Sequence, residues 1–175
     1  MSTTELDVDG YLDTLTEGAR QWCAEQGGDN PLIVGIHTGG AWVAETLHQR
    51  LGLTEPLGTL DISFYRDDFS RIGVHPQVKP SNLPMTVEDR HILLVDDVLQ
   101  TGRTVRAALN EIFDYGRPAS VTLAVLVDRP GRELPIAAAI AGARLDLAAG
   151  EQVTLDGPDP LTLSLHDLNR GDAPA

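Results

Sequence analysis

Ile92-Leu93-Leu94-Val95-Asp96-Asp97-Val98-Leu99-Gln100-Thr101-Gly102-Arg103-Thr104 is the stretch that decides the fold class. Its opening run is apolar without polar alternation, which predicts a strand covered on both faces, as in a parallel sheet. The strand ends in two carboxylates, and a short Thr-Gly-Arg-Thr loop follows. Val105, Ala108, Leu109, Ile112 and Phe113 then recur along one helix face, with Gly116 placed to end the helix. Ligands of open α/β sheets settle at the carboxyl ends of strands, where this loop lies. A helix start offers unpaired N–H groups and the positive end of the helix dipole, so it draws a phosphate. Thr101 and Thr104 add hydroxyls, and Gly102 lets the backbone come close. At the other end of the loop, Asp96 and Asp97 accept hydroxyl donors or a cation. A sugar phosphate satisfies both ends. The plainer alternative makes Asp97 loop polarity and Thr101 an ordinary cap. A phosphoacceptor receiver domain also pairs aspartates after an apolar strand, but near the chain start and with a later lysine; here the only lysine, Lys79, precedes the pair.

Working outward, Leu32 to Val34 and Val121 to Val127 are further unbroken apolar runs, and helical patterns lie between the strands. Gly40 to Arg50 carries Val43, Ala44 and Leu47 on one side; Leu12, Leu15, Ala19, Trp22 and Cys23 mark an N-terminal helix ending before Gly27-Gly28. Strand–helix alternation implies an α/β domain with right-handed crossovers. Leu60, Ile62 and Phe64 alternate with Asp61, Ser63 and Tyr65, which predicts a strand with one wet face. Arg66 to Arg90 is polar and holds Pro76, Pro80 and Pro84, as expected of a functional flap. Val153 to Leu165 alternates more weakly and predicts a small capping strand pair, followed by a frayed tail from Asn169.

A chain of 175 residues and 18.8 kDa points to one domain, residues 1–175. The 42% hydrophobic and 22% charged content argues for a packed core rather than disorder. A net charge of −13 argues against a whole-surface nucleic-acid binder and against docking on an anionic membrane, though not against a small basic site. One cysteine cannot close an internal disulfide or build a cysteine-rich metal site, and the five histidines have no metal-ligand spacing. With no secretory signal or bilayer-spanning run in the sequence, a reduced, cytoplasmic setting is expected.

The segment from Ile92 to Thr104 is similar to the phosphoribosyl pyrophosphate (PRPP) signature of type I phosphoribosyltransferases. Val34-Gly35-Ile36-His37-Thr38, Asp61 to Asp68, Arg103 to Ala107, Leu123 to Arg129 and Arg132 to Ile136 narrow the resemblance to the PyrR family, pyrimidine-operon regulators with uracil phosphoribosyltransferase activity. The likeness covers Leu32 to Ile136 best. It implies a mainly parallel sheet flanked by helices, a flexible flap over about 66–90 and a small hood contributed by about 128–165. It also implies that Asp96 and Asp97 hold the ribose hydroxyls, that Thr101, Gly102, Arg103 and Thr104 grip the 5′-phosphate, and that Val98, Leu99, Gln100 and Val105 bind PRPP alongside them. By the same likeness Thr38, Gly39 and Gly40 carry pyrophosphate, and Arg66 opens the flap over the reacting sugar. Val127, Asp128, Arg129 and Val153 fall where the family reads the base. Mg²⁺ would arrive on the substrate, with no protein metal ligand assigned. The implied partners are PRPP, uracil, UMP or UTP, and a second copy in a dimer or tetramer.

Two positions depart from the family pattern. Gly39 stands where the family usually has arginine, and glycine offers a backbone N–H in place of a bidentate clamp. Gln100 stands where tyrosine is common. The family also binds messenger RNA, which needs cations against phosphates. Asp7, Asp9, Asp13, Glu17 and Glu25 face Arg20 alone in the N-terminal segment, and Arg66, Arg71, Lys79, Arg90 and Arg103 are expected at the substrate site, so RNA binding is expected to be weak or absent. Two functional classes follow: an active uracil phosphoribosyltransferase, or a UMP/UTP-sensing regulator without turnover.

Overall fold

In β4 (His91–Leu99), Ile92, Leu93, Leu94 and Val95 are all fully buried. Leu93 and Val95 join one apolar cluster and Ile92 and Leu94 the other, which is what an unbroken apolar run accomplishes in a strand covered on both faces. The computed structural model describes residues 2–26, 28, 30–62 and 81–170. In it β4 lies between β2 (Leu32–Ile36) and β5 (Ser120–Asp128), paired in parallel with both. β3 (Gly58–Leu60) adds outside β2 and β6 (Ile140–Arg144) outside β5, completing a parallel five-stranded sheet in the order β3-β2-β4-β5-β6.

Helices α1 (Val8–Glu25) and α2 (Gly39–Leu51) cover one face, with Leu12, Leu15, Val43 and Leu47 against Leu93, Val95 and Leu126. Helix α3 (Arg103–Tyr115) covers the other through Val105, Ala108 and Ile112. The chain winds outward from β2 to β3, recrosses to β4, and winds outward again through β5 and β6. The winding direction therefore reverses between β2 and β4, and the loops leaving their carboxyl ends part to open a crevice.

The C-terminal alternation forms the expected strand pair, β7 (Glu151–Asp156) and β8 (Thr162–Asp167). A third strand, β1 (Ser2–Leu6), joins them from the N-terminus in the order β1-β8-β7. Nearly all of β1 is exposed, so it is held by backbone pairing and carries no apolar periodicity. β6 is equally silent in sequence, because its Ala-Gly-Ala centre has little intrinsic preference for strand.

Local differences from the sequence pattern have physical causes. β4 runs on to Leu99, past the carboxylates, since β5 keeps pairing with it as far as Leu99 opposite Asp128. Phe113 is 57% exposed: the buried stripe of α3 is rotated toward Ala107 and Glu111 and away from it. Arg90 sits at the amino end of β4, ion-paired with Glu55 and donating to the Asn30 carbonyl, at the edge of the sheet opposite the crevice. Asp61 is buried between Leu60 and Ile62 rather than facing water. Cys23 is half-buried, and burial pushes its thiol up. Residues 63–80, which hold the end of the expected strand at Phe64 and Tyr65 and the first part of the expected flap with Arg66, lie outside the described residues; in the rest of the expected flap Val87 is buried and Asn82 bridges to Thr59.

Glu111 is a buried acid on α3. One carboxylate oxygen accepts from the Ser81 hydroxyl, and that hydroxyl accepts from the Asp61 N–H at 3.0 Å. Burial raises the Glu111 pKa, the Ser81 hydrogen bond opposes the rise, and the Asp61 and Asp114 charges add to it. Glu111 thus binds its proton more tightly folded than unfolded, so the stability it contributes is present at low pH and is lost as pH climbs from the ordinary glutamate range through the raised value. Glu111→Gln should gain on the wild type as pH rises; urea unfolding at about pH 5 and about pH 8 checks this, and an equal difference at both would contradict it.

Candidate active site

Charge surfaces where the buried run of β4 gives out. Asp96 is 5% exposed, and its Oδ1 accepts the Asp97 N–H at 2.9 Å; Asp97 Oδ1 in turn accepts the Val98 N–H at 2.8 Å. These bonds to the strand's own amides fix both carboxylates at the crevice. Two cavities adjoin there. One, of about 230 Å³, is lined by Asp96, Val98 to Gly102, Thr104, Val105, Arg129, Gln152 and Val153. The other, of about 220 Å³, is lined by His37, Thr38, Gly39, Asp61, Ile62, Asp96, Asp97, Val98 and Thr104. Asp96, Val98 and Thr104 belong to both walls, so the cavities are two lobes of one site.

The first lobe is built for an anion. Gly102 turns the chain into α3 at φ +90°, a left-handed conformation that glycine adopts without strain. At the helix start the Arg103 N–H donates to Thr101 Oγ1 at 3.1 Å and the Arg106 N–H to the Gly102 carbonyl at 3.0 Å. The amides of Thr104 and Val105, which have no intrahelical acceptor, remain for a ligand beside the Thr101 and Thr104 hydroxyls. The second lobe has the opposite character: three carboxylates, Asp61, Asp96 and Asp97, and no lysine or arginine among its described residues. Such a lobe takes a polyanion only together with a cation. Among the described residues no cluster of His, Cys, Asp and Glu is built to hold a metal by itself, and no helix is long and apolar enough to cross a membrane.

Residues 9–147 match the phosphoribosyl transferase domain family. The chain is 63% identical over 166 residues to the bifunctional protein PyrR of Nitrosococcus oceani, covering 94% of each, and 60% identical over 149 residues to that of Pseudomonas putida, covering 85% and 87%. The chain belongs to the PyrR family of phosphoribosyltransferases. In structure it is similar to a purine phosphoribosyltransferase from Pyrococcus horikoshii (TM-score 0.59, 25% identity, 79% and 82% covered). The fold also matches a hypoxanthine-guanine phosphoribosyltransferase from Bacillus anthracis (TM-score 0.70, 14% identity, 95% and 100% covered). The protein is therefore an enzyme of the phosphoribosyltransferase class.

Most of the residues singled out in the sequence meet at this two-lobed site: Asp96, Asp97, Thr38, Gly39, Val98 to Gly102, Thr104, Val105, Arg129 and Val153. Gly40 lies behind it, packed on the Val95 carbonyl and the Asp96 backbone. The Arg103 Nε lies 3.4 Å from Glu133, and its backbone N–H serves the helix start. Val127 is buried in the core, and the Asp128 carboxylate turns from the lobes to pair with Arg132 and Arg144. Arg129 is 5% exposed and its guanidinium donates to the Ala148 and Glu151 carbonyls, so it ties the end of β5 to the start of β7 in the hood while lining the first lobe. Asp61 and Gln152 went unassigned in the sequence. Asp61 carried a usable signal, an acid directly after a buried strand as in β4; Gln152, in the weakly patterned hood, carried none.

At Gly39 the backbone packs tightly against a carboxylate of the site. A Cβ there would lie 2.2 Å from Asp97 Oδ2, so the carboxylate occupies the space that a side chain at this position would need. Gly39→Ala should push the Asp97 carboxylate off its position and raise KM for PRPP by roughly tenfold while leaving thermal stability nearly unchanged. Steady-state kinetics with a melting curve checks this; an unaltered KM would show that the carboxylate is not held against α2.

Proposed function

We propose that this chain transfers the 5-phosphoribosyl group of PRPP to uracil, giving UMP and pyrophosphate. The observation that carries the proposal is the pair of adjoining lobes with opposite electrostatic character, divided by Asp96, Val98 and Thr104. The amide-lined lobe suits the 5′-phosphate, with the base above it under Arg129, Gln152 and Val153. The carboxylate-lined lobe suits the diphosphate as its magnesium complex. Asp96 and Asp97, between the two, accept the ribose hydroxyls.

In the reaction N1 of uracil bonds to C1′, the C1′–O bond to diphosphate breaks with its electron pair on the leaving oxygen, and the N1 proton is released. Positive charge grows on the sugar ring as the bond breaks, and the Asp96 and Asp97 carboxylates beside the ribose would stabilise it. Orientation and water exclusion matter more here than a strong base, because water competes with uracil for the same carbon. Asp61, Asp96 and Asp97 would face Mg²⁺ directly or through waters, and the ion would supply charge neutralisation of the diphosphate.

Radiolabelled uracil incubated with PRPP and Mg²⁺ should yield UMP. Asp97→Asn should lower kcat/KM by roughly a hundredfold, and full activity in that variant would count against the ribose contact. Measurable UMP binding with no UMP formed would overturn the proposal of turnover.

Family membership also carries a role in regulating pyrimidine operons, and we propose that the chain binds their transcripts weakly and only at low salt. Among the described residues Arg20, Arg50, Arg90, Arg103, Arg132 and Arg144 are each ion-paired with an acid, which offsets their charge toward phosphates. A UMP-promoted gel shift of an upstream operon transcript should fade as salt rises to about 0.15 M; a tight, UMP-dependent shift at that salt would overturn the proposal.

A further inference from the structure

Resting on the assignment of the 5′-phosphate to residues 98–105, we propose that Arg132 is a positioning residue for that loop. Three successive carbonyls of the loop are held from outside. The Leu99 carbonyl accepts the Arg129 N–H at 3.0 Å, and the Thr101 carbonyl accepts the N–H groups of Glu133 and Leu134 at 3.0 and 3.2 Å. Between them, the Gln100 carbonyl accepts Nη1 of Arg132 at 2.8 Å. A planar trans peptide points its N–H opposite to its carbonyl. Tying these carbonyls outward therefore turns the amides of Gln100, Thr101 and Gly102 toward the lobe that the same residues line.

The other donors to these carbonyls are backbone amides; Arg132 supplies the one side chain. Its second nitrogen, Nη2, donates to Asp128 Oδ1 at 2.9 Å, and the other oxygen of that carboxylate takes Arg144. The guanidinium is thereby stretched between the end of β5 and the phosphate loop, a bridge that a planar fork makes and a single ammonium does not. Arg132 lines neither lobe, so it acts on substrate only through the orientation of the Gln100 peptide. Asp128 acquires a role by the same geometry: its side-chain exposure is 12%, and it anchors Arg132 rather than meeting the base.

The test compares the wild type with Arg132→Ala, Arg132→Lys and Arg144→Gln, measuring kcat, KM for PRPP, KM for uracil, and the affinities for UMP and for uridine, which lacks the phosphate. Arg132→Ala should raise KM for PRPP and weaken UMP binding by roughly tenfold, with KM for uracil and uridine binding within about twofold of wild type. Arg132→Lys should recover part of the loss, and it serves in place of the alanine variant if that one fails to fold. Arg144→Gln, which removes a cation from the same carboxylate without touching the loop, should leave the PRPP and UMP values near wild type. An active Arg132→Ala with unchanged KM for PRPP overturns the proposal. So does a parallel loss for both substrates and both nucleosides, the mark of general structural damage, or an equal loss in Arg144→Gln. A wild type that makes no UMP defeats the substrate assignment instead, and the preference for UMP over uridine in the variants then decides the role of Arg132.

Discussion

The structure depends on a central strand that is buried on both faces along most of its length and then must deliver charge to solvent. Between Ile92 and Val95 no polar side chain is tolerated on β4, because α1 and α2 close one face and α3 the other. Polar chemistry can emerge only where the covering helices begin, at the carboxyl end. That end coincides with the reversal of winding between β2 and β4, so the crevice and the carboxylates arise from one topological fact. The β2 loop, the β3 end and the start of α3 converge on Asp96 and Asp97 because the parallel strands all point the same way.

Local electrostatics overrule the net charge. A chain of −13 would repel a polyanion on average, yet the start of α3 offers amides and hydroxyls and no carboxylate in its first turn. The acids are held on the other side of Asp96, where they suit a sugar and a cation-bearing diphosphate. Separating the two characters by a few residues of continuous chain, β4 into α3, makes the site bipolar along the length of one ligand. The loop between them is held on its outer side by hydrogen bonds from residues 129–134.

The central strands, α1, α2 and α3 and the nucleotide loop were legible in sequence because each has strong periodicity or an unbroken apolar run. β1 and β6 were not: one is exposed along most of its length and carries no apolar periodicity, and the other has an Ala-Gly-Ala centre. The rotation of α3 that exposes Phe113 and buries Glu111 depends on what packs against it, Ser81 above all, which no local spacing encodes. In the candidate site, most residues singled out in the sequence line the two lobes, Thr38, Gly39, Arg129 and Val153 from other elements among them, while Asp61 and Gln152 went unassigned. Asp61 follows β3 and Gln152 lies in β7, while the side chain of Arg90 pairs with Glu55 and that of Asp128, placed at the base by resemblance, pairs with Arg132 and Arg144.

A crystal structure of the chain with UMP bound tests the bipolar site most directly. The ribose hydroxyls should lie within hydrogen-bond distance of the Asp96 and Asp97 carboxylates, and the phosphate should rest on the amides and hydroxyls from Thr101 to Val105. A nucleotide lodged away from the β2–β4 crevice, or turned with its phosphate toward Asp61, would contradict the account.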